Sequence, residues 1–335
     1  MTKTFIIAEA GANHNRSFEQ AISLINVAKE SGADACKFQT YSSETLYSKN
    51  TPDFAGYKNI NKLIKDIELP REWQSDLKNH CDSVGIEFMS TPFDEKAVDE
   101  LVSIGVSRMK IAGFESTDMR FVEMVCSAKL PIIVSIGIGA NIKLIDKILV
   151  IANKHEIDDV TFLHCNNAYP TPPTDVNLET IRLMSNDNRY KTGFSDHTIS
   201  TLTPSLAVAA GATVIEKHFT LSKFLKGPDH PFALEPHELK TMVDNIRYTE
   251  TCMGIKENDF TESELTIQKA MRSVVAHKSI KKGEKFSYEN VTTKRPCIEG
   301  CIPGISYFDV IGKISQKDYE YDDFIQNTEL NYGPK

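Results

Sequence analysis

Over roughly the first 250 residues, short apolar runs alternate with amphipathic stretches. The runs are FIIAEA (5–10), ACKFQT (35–40), EFMSTP (87–92), RMKIAG (108–113), PIIVSIG (131–137), VTFLHC (160–165), KTGFSDH (191–197) and TVIEKHF (213–219). Near-continuous apolarity of this kind predicts strands buried on both faces of a parallel sheet. Helical periodicity fills the intervals at 18–30, 118–128, 142–154, 178–184 and 202–210, with a last helix over 235–253. Eight strands alternating with helices predict an α/β fold, a (β/α)8 TIM barrel. A flat doubly wound sheet is the competing architecture.

After residue 254 the pattern changes. Residues 254–267 are polar and irregular, and RSVVAHKSIKKGEKFSYENVTTKRP (272–296) then reads as short strands and turns, with KKGE as a turn signal. The expected organisation is a catalytic domain over 1–255, a linker over 256–272 and a small β-rich domain over 273–335.

Composition narrows the function. The 335-residue chain is 41% hydrophobic, enough for a large core, and its net charge of −8 with pI ≈ 5.7 argues against a nucleic-acid or anionic-membrane partner. An anionic small substrate then needs locally placed positive charge. Seven cysteines form no CxxC pair and lie mostly in apolar runs. That suits a reducing, cytoplasmic setting. The first apolar run is too short for a secretory leader, and no run has the length of a membrane span.

In a parallel barrel the chemistry sits at the C-terminal ends of the strands. The polar residues there are Glu9, Asn13 and His14; Lys37 and Gln39; Ser90 and Thr91; Lys110 and Glu115; Ser135; His164, Asn166, Asn167 and Tyr169; Ser195, Asp196 and His197; Glu216, Lys217 and His218. A single histidine is more often a satisfied polar group than a ligand. His197 and His218, however, end consecutive strands about 4.8 Å apart, so their imidazoles can converge on one divalent ion. Two ligands leave positions for water and substrate. Lys37 and Lys110 interrupt apolar strands, where a lysine binds an anion or forms a Schiff base. Glu9 and Glu115 are general acid/base groups or salt-bridge partners for those lysines.

Several ordered segments carry a family resemblance: IIAEAGANHN (6–15), GADACKFQTY (32–41), STPFD (90–94), MKIAGFE (109–115), LHCNNAYPTP (163–172), GFSDHT (193–198), IEKHFTL (215–221), GPDH (227–230), ALEP (233–236), RSVVAHKSIKKGE (272–284) and TTKRP (292–296). Over nearly its whole length the chain resembles the sialic acid (N-acetylneuraminate) synthases, with their legionaminate and pseudaminate relatives. The resemblance implies a TIM barrel followed by an antifreeze-like (SAF) domain. It also implies condensation of phosphoenolpyruvate with an open-chain N-acylated amino-sugar, with release of phosphate by C–O cleavage. N-acetylmannosamine is the expected acceptor, and 2,4-diacetamido-2,4,6-trideoxymannose the alternative.

By the same resemblance, His197 and His218 hold Mn2+, with Mg2+ or Co2+ as substitutes. Lys37, Thr91, Lys110, Ser135, Asn167 and Ser195 bind phosphoenolpyruvate. Gln39, Glu115, Tyr169 and Asp229 bind the sugar, and Glu9 positions or activates water. Arg295 reaches the partner subunit's site in a domain-swapped homodimer. Gly227-Pro228-Asp229-His230 is closer to the sialate and legionaminate branches than to the pseudaminate branch. The chain departs from the family pattern at Gly113, where relatives carry serine, and at Ile136 and Ile138, where they read Thr and Met. Two other readings stand beside this one. A 3-deoxy-octulosonate- or heptulosonate-phosphate synthase would need a second phosphate site, for which no basic cluster is evident. A non-catalytic carbohydrate-binding protein would have no use for both lysines and both histidines.

Overall fold

A computed structural model describes residues 3–53, 58–138 and 142–330. The chain divides into two compact units, Met1–Gly254 and Ile255–Lys335.

In the first unit, eight parallel strands are β1 (Phe5–Gly11), β2 (Ala35–Thr40), β3 (Glu87–Pro92), β4 (Met109–Ile111), β5 (Ile132–Ile136), β6 (Val160–Cys165), β7 (Lys191–Asp196) and β8 (Val214–His218). Helices α1 (Phe18–Ser31), α2 (Ile60–Ile67), α3 (Gln74–Val84), α4 (Glu95–Ser103), α5 (Met119–Cys126), α6 (Ile142–Lys154), α7 (Glu179–Met184), α8 (Thr203–Ala209) and α9 (Pro236–Cys252) lie between and after them. The sheet order is β3-β2-β1-β8-β7-β6-β5-β4, so β1 bonds to both β2 and β8. Its two ends, β3 and β4, lie side by side. This is a closed, barrel-like sheet and not a doubly wound one. β4 is shorter than its apolar run predicts, because the chain leaves the sheet after Ile111 and turns into a 3-10 segment at Glu115–Thr117.

Side chains of a strand alternate between faces, and here the alternation separates two cores. Ile7, Ala35, Met89, Ile133, Leu163 and Val214 fill the barrel interior. Ile6, Ala8, Cys36, Phe38, Phe88, Val134, Phe162, Phe194 and Ile215 face outward and pack in the larger core that includes the helices. Gly193 belongs to the inward set. A Cβ there would lie 2.5 Å from Leu163 Cδ2 and from the Val214 carbonyl, so only glycine lets those two side chains close the barrel floor. Polar residues on inward positions above this floor point into the mouth.

The second unit pairs β9 (Ser273–Ala276) antiparallel with β10 (Val291–Lys294). Isolated bridges such as Val275–Phe324 and Ile280–Tyr319 extend the pairing. Two short helices, α10 (Glu262–Leu265) and α11 (Tyr307–Val310), complete it. Its core is Val274, Ala276, Ile280, Phe286, Val291, Ile302, Val310, Tyr319 and Ile325. The KKGE segment forms a turn closed by the Glu284 N–H donating to the Lys281 carbonyl at 2.9 Å, with Gly283 at φ 89°. Residues 331–335 of the expected domain lie outside the described residues.

One buried histidine makes the barrel's stability pH-dependent. His14 packs against Phe38 and Trp73, and its Nδ1 accepts the Arg16 backbone N–H at 3.0 Å, which requires a neutral ring. Burial, helped by the Arg16 charge, lowers its pKa from 6.5 to about 4. The unfolded chain therefore binds a proton below pH 6.5 that the folded chain refuses until about pH 4. Stability is complete above this window and falls as the pH drops through it, by on the order of 3 kcal/mol. Urea titrations of His14→Gln are expected to lose less stability between pH 7 and pH 4 than the parent. Equal losses would contradict this assignment.

Candidate active site

The inward positions nearest the C-terminal strand ends form one connected polar cluster. Lys37 is its centre, 2% exposed, with Nζ 2.8 Å from Glu9 Oε2, 2.7 Å from Thr91 Oγ1 and 3.8 Å from Glu216 Oε2. Lys110, also 2% exposed, donates to Ser135 Oγ at 2.8 Å and lies 3.6 Å from Glu216 Oε1. Ser195 donates to the same Glu216 oxygen at 3.4 Å, and Gln39 donates its amide to Glu9 Oε1 at 2.8 Å. Two buried ammonium groups thus face two buried carboxylates, with three hydroxyls around them.

The charges follow from this packing. Burial pushes the Glu9 carboxyl up to about 7, against the pull of Lys37 and with the help of Glu216. Burial also disfavours the Lys37 ammonium, but Glu216 and Glu9 outweigh it and hold its pKa above the usual value. For Lys110 burial wins and the pKa is lowered. For Glu216 burial opposes ionisation, but Lys110 and Lys37 prevail and the carboxyl is held below its usual range. An incoming anion would displace carboxylate from these lysines, the exchange a preorganised anion site performs.

Above this cluster stand the two histidines, with ring centroids 5.5 Å apart. His218 ends β8, and His197 follows directly after β7. His197 Nδ1 donates to the Asn166 carbonyl at 2.7 Å, which leaves Nε2 as the free lone pair. Burial lowers both pKa values, so both rings are neutral at neutral pH. His218 Nδ1 is buried with no hydrogen-bond partner and lies 3.8 Å from Asp229 Oδ2. Neutral imidazoles, one with an orphaned nitrogen, fit a divalent ion. Among the described residues no group of three or more His, Cys, Asp or Glu side chains has ligating geometry, so the remaining positions would fall to water and substrate.

The rim completes the site. Tyr169 packs 4.2 Å from the His197 ring and 5.4 Å from Phe232. Burial raises Asp229 to about 6, while the Ala12 N–H, donating at 3.5 Å, pulls the other way. Glu115 has a buried carboxylate oxygen without a partner, and burial raises its pKa. Asn167 Oδ1 accepts the Ile138 N–H at 3.0 Å. A Cβ on Gly113 would lie 2.8 Å from Asn167 Nδ2, and one on Gly137 would lie 2.1 Å from its Oδ1. The glycine at 113 therefore makes room for the Asn167 amide. Ile136 faces the outer core, so its lack of a hydroxyl removes nothing from the barrel interior.

Not every strand-end residue belongs here. Ser90 bonds to Thr40 on the outer face, and His164 stacks on Phe194 with Nε2 bonded to the Val176 carbonyl. His14 is a core residue, and Asn13 donates to the Phe219 carbonyl. Asp196 and Lys217 pair with each other at 2.6 Å, facing away from the cluster. Arg295 lies in the second unit and is exposed. Two site residues had no assigned role in the sequence reading. Glu216 bridges both lysines, and the Cys165 thiol lies 3.9 Å from His197 Nδ1, with burial pushing its pKa up to about 11. Both occupy inward positions of their strands, a signal available from the alternation alone.

The mouth of this parallel barrel brings two buried lysines together with two neutral histidines, a chemistry compatible with an anion beside a divalent ion. The chain belongs to the NeuB family, whose model matches residues 24–258. It is 40% identical over 304 residues to the N,N'-diacetyllegionaminic acid synthase of Legionella pneumophila, covering 87% of this chain and 85% of that protein. It is 38% identical over 335 residues to a pseudaminic acid synthase of Campylobacter jejuni, covering 98% and 97%. Among solved structures it is similar to N-acetylneuraminic acid synthetase from Leptospira borgpetersenii in complex with citrate, at 32% identity and TM-score 0.73, over 79% of this chain and 90% of that one. The chain is thus a sugar-acid synthase of this family. No helix among the described residues is long and apolar enough to cross a membrane.

Proposed function

We propose that the protein is a nonulosonate synthase that condenses phosphoenolpyruvate with an open-chain N-acylated amino-sugar and releases phosphate. The observation that carries this reading is the Lys37–Lys110 pair with Thr91, Ser135 and Ser195 beneath the two histidines. Phosphoenolpyruvate brings a phosphate and a carboxylate, and the two lysines balance them. Asn167 adds an amide donor. Gln39, Glu115, Tyr169 and Asp229 would contact the sugar.

His197 and His218 would hold a divalent ion, Mn2+ with Mg2+ or Co2+ as substitutes, which would supply Lewis-acid polarisation of the sugar aldehyde. The lysines and hydroxyls orient carbon 3 of phosphoenolpyruvate toward the aldehyde carbon, and the new C–C bond leaves a cationic carbon 2. Glu9, with its pKa about 7, is suited to take a proton from the water that adds there. The aldehyde oxygen, left as an alkoxide, takes up that proton. The tetrahedral centre then breaks its C–O bond to phosphate as its hydroxyl becomes the carbon 2 carbonyl, the hydroxyl proton leaving with phosphate. Arg295, from the small SAF-like domain of a second copy in a domain-swapped homodimer, would close the sugar site.

The legionaminic acid synthase relative favours 2,4-diacetamido-2,4,6-trideoxymannose as acceptor. The similarity to the sialic acid synthetase structure favours N-acetylmannosamine as the second reading. Phosphate release with phosphoenolpyruvate, Mn2+ and each sugar in turn separates them, with the true acceptor expected to show at least about tenfold higher kcat/KM. No phosphate release with either sugar, nor with the acceptor sugar of the pseudaminic acid synthase relatives, would refute the synthase reading. A smaller effect is expected from Gly113→Ser. Its Cβ would push aside the Asn167 amide, a movable group, so KM for phosphoenolpyruvate should rise several-fold while Tm barely changes. An unchanged KM would remove Asn167 from the phosphoenolpyruvate site.

A further inference from the structure

Behind the histidines, on the opposite faces of the same two strands, lies a buried ion pair that the proposed reaction does not use. Strand register sets Asp196 directly beside Lys217, and each is 1% exposed. Lys217 Nζ donates to Asp196 Oδ2 at 2.6 Å, to the Thr198 carbonyl, and to Thr198 Oγ1 at 3.3 Å. Asp196 in turn accepts the Thr198 N–H at 2.8 Å and the Thr198 hydroxyl at 3.1 Å. The residues on both sides of His197 are thus tied to one ammonium, and that ammonium belongs to the residue preceding His218.

We propose that the Asp196–Lys217–Thr198 network is a positioning clamp that fixes the spacing of the His197 and His218 imidazoles and thereby sets the affinity of the barrel mouth for its divalent ion. The proposal rests on the metal reading of the histidine pair. A buried ion pair adds little net stability compared with a well-packed apolar pair. It does resist displacement, because separating the strand ends would leave two charges buried and uncompensated. On the inward side the only direct side-chain link between β7 and β8 among the described residues is the longer Ser195–Glu216 bond at 3.4 Å. The outer clamp is therefore the stiffer constraint on the two ligands. Groups that hold metal ligands in place are typically worth 10- to 100-fold in metal affinity.

The test uses the full chain and measures Mn2+ binding from the EPR signal of the free ion. The doubly neutral variant Asp196→Asn/Lys217→Met keeps the Thr198 N–H acceptor and the side-chain volumes. It is expected to fold and to bind Mn2+ at least about tenfold more weakly. KM for phosphoenolpyruvate should stay within about twofold, since Lys37 and Lys110 are untouched. A folded double variant with parental Mn2+ affinity overturns the clamp. Thr198→Val, which removes only the shared hydroxyl, decides the matter if the double variant does not fold. It should weaken Mn2+ binding a few-fold, and unchanged affinity again overturns the proposal. If the parent chain itself binds no Mn2+, the metal reading fails and the clamp falls with it.

Discussion

His218→Ala is expected to lower phosphate release by at least about 10³-fold at saturating phosphoenolpyruvate, acceptor and Mn2+, some 4 kcal/mol of transition-state stabilisation. The fold should survive. His218 Nδ1 has no hydrogen-bond partner, so its removal orphans no other group at that atom. The imidazole is buried beside Tyr169 and Phe232, which can close over part of the space. Thermal denaturation followed by circular dichroism separates loss of chemistry from loss of structure. Full activity in a folded variant would show that this histidine holds no ion.

Lys37→Met is expected to combine lost activity with lost stability. Lys37 is the shared partner of Glu9 and Glu216, at 2.8 and 3.8 Å. Without it, Glu9 keeps only the Gln39 amide, and Glu216 keeps Lys110 and Ser195. Removing one member of a buried charged group costs about 3–5 kcal/mol. The loss should depend on pH in a set direction. The Glu9 carboxyl already sits near pH 7 because of burial, and deleting the lysine that lowers it raises it further. The folded variant therefore holds a proton that the unfolded chain gives up near pH 4.5, so its stability falls as the pH rises. Urea midpoints should show a larger deficit against the parent at pH 8 than at pH 6. A deficit independent of pH would mean that Lys37 does not hold Glu9 ionised. Phosphoenolpyruvate binding, read at pH 6 where the variant is most stable, should be lost.

Much of this site could be read from the alternation of the strands. The apolar runs mark the barrel, and within each run every second residue faces inward. Glu9, Lys37, Thr91, Lys110, Ser135, Ser195 and His218 share that phase, and Ala35, Met89, Ile133, Leu163 and Val214 mark it in the floor. Counting polar residues at strand ends without the phase also collects Ser90, His164, Asp196 and Lys217, which face the helices. Applying the phase sets those four aside, keeps Glu216 and adds Cys165. What no pattern gives is the fit of Asn167 against Gly113 and Gly137, because three separate loops meet there. Nor does alternation reveal that Tyr169 packs on His197, since a contact between loop residues has no period.

The most direct test of the proposed chemistry follows the bridging oxygen of phosphoenolpyruvate. With 18O in the C–O–P position, Mn2+ and the preferred acceptor, the phosphate released should retain the label, because the tetrahedral centre expels phosphate by C–O cleavage. Unlabelled phosphate, or label left in the sugar acid, would contradict the account.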